Sequence, residues 1–119
     1  MILRRLLGQT DRQVILVVDE DRRARARARR ALRRDGYVVH EAADPAEADA
    51  LVLDLCPDLV LLTARLAGDS GPEILARWRL AGLRVPAVVM TGPCRPGALA
   101  GRVATALQGA EPEGLAVGA

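Results

Sequence analysis

The chain has 119 residues, half of them hydrophobic, enough for one domain whose single core needs neither disulfides nor metal. With 27% charged residues and a formal net charge of +2, it is neither an acidic solvating tail nor a uniformly basic nucleic-acid binder. All 17 basic residues are arginine, which excludes any mechanism that needs a lysine, and the aromatic residues are limited to Tyr37 and Trp78, too few for base-stacking platforms.

In chain order, residues 1–13 form an extension. Within it Ile2, Leu3, Leu6 and Leu7 recur at i, i+1, i+4 and i+5 opposite Arg4 and Arg5, the pattern of an amphipathic helical turn or two. Arginines interrupt this apolar run and no small-residue cleavage site follows, so it does not read as a signal peptide. The domain is expected over 14–119. It opens with Val14 to Val18, a short, continuous apolar run that suits a strand covered on both faces of a parallel sheet. That run stops at Asp19, Glu20 and Asp21. From Arg22 to Arg34 the residues Ala24, Ala28, Ala31 and Leu32 fall on one helical face, with Asp21 to cap the start and Gly36 to end it. Tyr37 to Glu41 reads as a second strand, Pro45 to Leu53 as a short helix opened by Asp44, and Leu59 to Thr63 as a third strand entered through Pro57 and Asp58. Gly71 and Pro72 introduce a helix through Leu80, and Pro86 starts a strand through Thr91. Gly97 to Leu107 follows as a helix and Leu115 to Val117 as a last short strand. Nowhere do about eighteen apolar residues run together, so no membrane span is expected.

Strands alternating with helices at this spacing predict an α/β fold, a doubly wound five-stranded parallel sheet covered on both faces. Ligands in such sheets bind beyond the carboxyl ends of the strands. The residues to read are therefore Asp19, Glu20 and Asp21 after the first strand, Thr63 after the third and Thr91 after the fourth. Cys56 and Cys94 have no C-x-x-C or histidine-spaced partner, so they read as buried thiols of a cytoplasmic protein, with no disulfide and no zinc.

Four segments carry a family resemblance: VILVVDED at 14–21, DGYVVHEAADPAEA at 35–48, PDLVLLTARLAGDSG at 57–71 and VPAVVMTG at 85–92. In this order and spacing the chain resembles the receiver domain of two-component response regulators. The resemblance implies a flavodoxin-like fold with strand order 2-1-3-4-5. It also implies four chemical roles: an acidic pair that holds magnesium, an aspartate ending the third strand that accepts phosphate, a switch hydroxyl ending the fourth, and a lysine that binds phosphate. Asp19 and Glu20 match the acidic pair and Thr91 the switch hydroxyl.

At the acceptor position the family's PDLVLLD is written PDLVLLT, so Thr63 stands where the aspartate belongs, and the lysine has no counterpart. An acyl phosphate cannot form on a hydroxyl, and a lost carboxylate weakens a magnesium site that wants a near-octahedral oxygen shell. No cofactor is required on this reading, with weak magnesium binding left to Asp19 and Glu20. Ala67 replaces a family proline and Ser70 a family aspartate. Asp69 is an alternative acceptor, disfavoured because a loop carboxylate lacks in-line positioning. Plain structural readings stand beside these: Asp19, Glu20 and Asp21 as charges favoured at a helix N-terminus, Thr63 as a hydroxyl bonded to backbone, and Thr91 as a strand-end threonine.

The helix from Arg22 to Arg34 carries Arg22, Arg23, Arg25, Arg27, Arg29, Arg30, Arg33 and Arg34, read as pointing away from its alanine stripe. Like charges this dense repel unless something acidic uses them. The resemblance makes this helix a docking surface for a signalling protein such as a histidine kinase, a phosphotransfer protein or an output protein. Nucleic acid is disfavoured because no stacking aromatics or helix-turn-helix accompany the arginines. At the other end the last helix of the family is missing, which would leave an apolar face for residues 1–7 or a second copy of the chain to cover. The expected function is an atypical receiver in phosphorelay-type signalling, a binding module and not an enzyme, acting by protein–protein interaction without phosphorylation. The alternatives are residual phosphotransfer and nonspecific nucleic-acid binding through the arginine-rich helix.

Overall fold

A computed structural model of the chain describes residues 12–66, 69–92, 96–108 and 115–118; for Arg65, Asp69, Pro96 and 115–118 the description covers the backbone. The expected helical turn over residues 1–7 and the thiol of Cys94 lie outside the described residues.

The continuous apolar runs become the centre of a parallel sheet because helices cover both of its faces. In β1 (Val14–Val18) all five residues are buried, and in β3 (Leu59–Thr63) all but the last. Helix α1 (Arg22–Arg34) starts where Asp21 accepts from the Arg23 amide at 3.0 Å, with Arg33 and Arg34 beside its carbonyl end. The chain turns at Gly36 with φ +95°, a conformation open to glycine, and enters β2 (Val38–Ala42). Helix α2 (Pro45–Leu55) is capped reciprocally: Asp44 accepts from the Glu47 amide at 2.8 Å while Glu47 accepts from the Ala43 amide at 2.8 Å. Sequence patterning ends this helix at Leu53; it runs two residues further, to Leu55, and Cys56, at φ 45°, makes the left-handed stop. That position turns Cys56 outward, so its thiol is exposed and not buried as expected.

After β3 a hairpin absent from the sequence reading pairs β4 (Arg65–Leu66) with β5 (Asp69–Ser70). Ser70 then caps α3 (Gly71–Leu80) by accepting from the Glu73 amide at 3.2 Å. The strand β6 (Ala87–Met90) follows, then α4 (Pro96–Leu107). Along the sheet the order is β2-β1-β3-β6, all parallel. These four strands carry the described packing. Beside β6 the backbone of β7 (Leu115–Gly118) pairs in parallel, Ala87 with Leu115 through Met90 with Gly118, and of this fifth position only that pairing is described.

One face of the sheet packs Leu16, Val18, Val60, Leu62 and Val89 against α2 and α3, including Val52, Ile74 and Trp78. The other packs Ile15, Val17, Leu61, Val88 and Met90 against Leu32 of α1 and Leu99, Val103 and Ala106 of α4. The expectation of an uncovered face left by a missing last helix is corrected as far as β6: α4 lies beside α1 and covers Val88 and Met90. Only residues 91–95 separate β6 from α4, and the apolar stripe of α4 meets the side of β6 that carries Val88 and Met90. Helix α1 leads from β1 towards β2, and α4 leads from β6 the opposite way towards β7, yet both lie on one face. The two connections are therefore of opposite hand, an exception in a class where about 98% of crossovers are right-handed.

Candidate functional site

The carboxyl ends of β1, β3 and β6 converge on one edge of the sheet, with the N-terminal turns of α1 and α4 beside them. Asp19 leaves β1 half-buried. Its amide donates to the Ala42 carbonyl at 3.1 Å, and its Oδ1 accepts from the Asp21 amide at 2.9 Å. Burial pushes the Asp19 carboxyl above the usual carboxylate range; the Asp21 amide and the charge of Arg25 oppose this but do not cancel it. Glu20, next in the chain, is exposed.

Beside Asp19 a cavity of about 300 Å³ opens at this edge. Val17, Leu61, Met90 and Leu99 form its apolar part, and the small side chains of Ala24 and Ala28 leave the space against α1. Asp19, Asp21, Thr63 and Arg27 supply its polar part. The expected backbone hydrogen bond of the Thr63 hydroxyl is not formed: the side chain borders the cavity and bonds to no described residue. Sequence reading thus brought Asp19, Asp21 and Thr63 correctly to one edge. Glu20 and Thr91 do not line the cavity, and Thr91 is exposed with an interaction of its own. The side chain of Asp69 lies outside the description. Among the described residues no three His, Cys, Asp or Glu groups are gathered to hold a metal ion.

Sequence reading missed Leu99, Met90 and Gly92 as cavity residues, because only the seating of α4 brings them to Asp19. It also treated the arginines of α1 as one outward set, and this is corrected. Arg25 Nε and Arg29 Nη1 reach Glu41 on β2 at 3.2 and 2.7 Å. Arg25 Nη1 also donates to the Asp19 carbonyl at 2.9 Å, and Arg33 Nη2 to the Val39 carbonyl at 3.3 Å. These three tie α1 to the sheet edge. Arg22, Arg23, Arg27, Arg30 and Arg34 remain exposed and meet no acid among the described residues. The signal that could have separated them is the single acid Glu41, placed among the apolar residues of the second strand.

A family model for the response regulator receiver domain matches residues 15–101. The chain belongs to that family. This receiver chain is 39% identical over 77 residues to the response regulator MprA of Mycobacterium sp. (strain KMS), covering 65% of this chain and 34% of that protein. It is 37% identical over 73 residues to the transcriptional regulatory protein ResD of Bacillus subtilis (strain 168), covering 61% and 30%. The receiver chain thus spans about a third of the length of these relatives. Among solved structures, the receiver domain of the hybrid histidine kinase CckA is 31% identical with a TM-score of 0.73, over 80% of this chain and 99% of that one. The signal receiver domain of a LuxO repressor protein from Vibrio parahaemolyticus shares the fold with a TM-score of 0.77 at 16% identity, over 83% and 92%. No described helix of the receiver is long and apolar enough to cross a membrane.

Proposed function

We propose that this receiver works in two-component signalling as a binding module that does not use an aspartyl phosphate. The observation that carries the reading is Thr63: at the end of β3, bordering the cavity, it offers a neutral hydroxyl where the family's chemistry needs a carboxylate. The absence of lysine from the sequence supports it, since no side chain of that type can hold a phosphoryl oxygen. Asp19 and Glu20 then bind magnesium weakly at most, because one Asp19 oxygen is engaged by the Asp21 amide and Glu20 faces water. The module is not an enzyme and acts in the cytoplasm.

Its output surface is α1. Arg23, Arg27, Arg30 and Arg34 follow one another at i, i+4, i+7 and i+11, a single exposed stripe along the helix. Guanidinium groups in such a row suit the carboxylates of an acidic signalling protein, a kinase, phosphotransfer or output protein, by bidentate pairing. Incubation with acetyl phosphate and magnesium, followed by intact mass measurement, tests the first half of the reading: the mass should stay unchanged, and a stoichiometric phosphoryl adduct on Asp69 would overturn it. Salt-sensitive retention on random-sequence DNA would replace an acidic protein with nucleic acid as the partner of the stripe.

A further inference from the structure

The cavity beside Asp19 has a composition that neither phosphoryl chemistry nor α1 docking explains. A receptacle for magnesium and a phosphoryl group would be polar throughout, whereas most of this one is built from Val17, Leu61, Met90, Leu99 and two alanines. Its volume of about 300 Å³ stands at the lower end of the range that small organic ligands occupy. Two polar groups border it without being used up. The second oxygen of Asp19 and the hydroxyl of Thr63 accept from and donate to no described residue. Against the carboxylates of Asp19 and Asp21 stands one guanidinium, that of Arg27, which is exposed and belongs to the outer stripe. The lining therefore sets two carboxylates and one guanidinium beside an apolar wall, and Arg25, whose charge also reaches Asp19, is already paired with Glu41.

From this geometry we infer that the cavity binds a small organic cation, a compact apolar body carrying one ammonium group. The ammonium sits on Asp19 and Thr63, and the body lies over Leu61, Met90 and Leu99. Asp19 supplies a charge-assisted hydrogen bond, stronger than a neutral one, and Thr63 accepts a second N–H. The inference rests on Thr63 leaving this end of the sheet without phosphoryl chemistry. Its test is separate from the acetyl phosphate test, because a failure to bind an amine leaves the mass result untouched.

The full chain is titrated with benzylamine, benzyl alcohol and benzoate while backbone amide signals are followed by NMR. A ligand of this size binds in the millimolar range, given a ceiling of about 1.5 kcal/mol per heavy atom that few contacts approach. Benzylamine should shift the amides of Val18, Asp19, Asp21, Thr63 and Gly92 together, at least tenfold more tightly than benzyl alcohol, with no shift from benzoate. Asp19→Asn should weaken benzylamine about tenfold and Thr63→Val about threefold. Ala28→Leu should abolish binding by filling the space, and Ala24→Leu serves the same end if that variant does not fold. Equal affinity for the amine and the alcohol, an unchanged affinity in Asp19→Asn, or shifts centred elsewhere would each overturn the inference.

Discussion

Gly71 stands so close to Thr63 that a Cβ on the glycine would lie 2.5 Å from the Thr63 carbonyl oxygen and 3.3 Å from Val89. Its amide donates to the Ala64 carbonyl at 2.9 Å, so α3 begins directly behind the strand end that borders the cavity. Backbone cannot yield as a flexible side chain does. Gly71→Ala should therefore cost about 1 to 3 kcal/mol of stability, measured by urea unfolding, even though alanine is the better helix former. A neutral or stabilising effect would contradict this close approach.

Glu41 reads the clamp between α1 and β2. Its burial alone would raise the carboxyl, but the hydrogen bond and charge of Arg29, then those of Arg25, outweigh it and hold the pKa below the ordinary value. A lowered folded-state pKa means that the stabilisation is present above the unfolded pKa and is lost as pH falls through the folded one. Glu41→Gln should lower the melting temperature at neutral pH by an amount corresponding to about 1 kcal/mol, and the difference should close in acid. A difference that persists in acid would assign the effect to packing.

Asp19 carries the opposite sign. Burial raises its carboxyl despite the Asp21 amide, so its favourable contribution is complete below the unfolded pKa and is lost as pH rises through the folded one. At neutral pH the ionised group is a burden. Asp19→Asn retains an acceptor for the Asp21 amide and should raise the melting temperature at neutral pH, with no gain in acid; thermal melts across that range decide it.

Leu99 tests the seat of α4. It is 5% exposed and packs with Val88, Met90 and Val103, so Leu99→Ala should cost about 2 to 5 kcal/mol in chemical denaturation. Were α4 undocked from the α1 face, the same change would stay within about 0.5 kcal/mol.

Restoring a carboxylate at the end of β3 separates the two losses at this edge. Thr63→Asp should strengthen magnesium binding, seen by titration calorimetry, because it adds a carboxylate at the edge that Asp19 already borders. Phosphorylation from acetyl phosphate should remain slow or short-lived, since the chain still contains no lysine. Rapid formation of a persistent phosphoryl adduct would show that a lysine is dispensable here.

Much of the fold can be read in the chain because its decisive signals are local. The runs at Val14–Val18 and Leu59–Thr63 are apolar on both sides, which in a protein of this size requires helices on both faces of the sheet. Asp21 and Asp44 stand one residue before their helices because a side-chain acceptor there satisfies an amide that the helix cannot. By the same logic Asp19 and Thr63 reach a common edge, since parallel strands deliver their carboxyl ends together.

Other features have no local signature. In RRARARARRALRR nothing separates Arg25 and Arg29 from Arg27 and Arg30; the division comes from Glu41, on a neighbouring strand sixteen residues from Arg25. The spacing of Leu99, Val103 and Ala106 states that α4 has an apolar side but is equally compatible with either face of the sheet. Sequence by itself determined which segments are strands and helices and which residues leave the strand ends, because backbone geometry and amphipathic period act within a few residues. Tertiary structure decided that α4 covers the α1 face, that Leu99 closes a cavity over Asp19, and which arginines face water, because each of these depends on a partner far away in the chain.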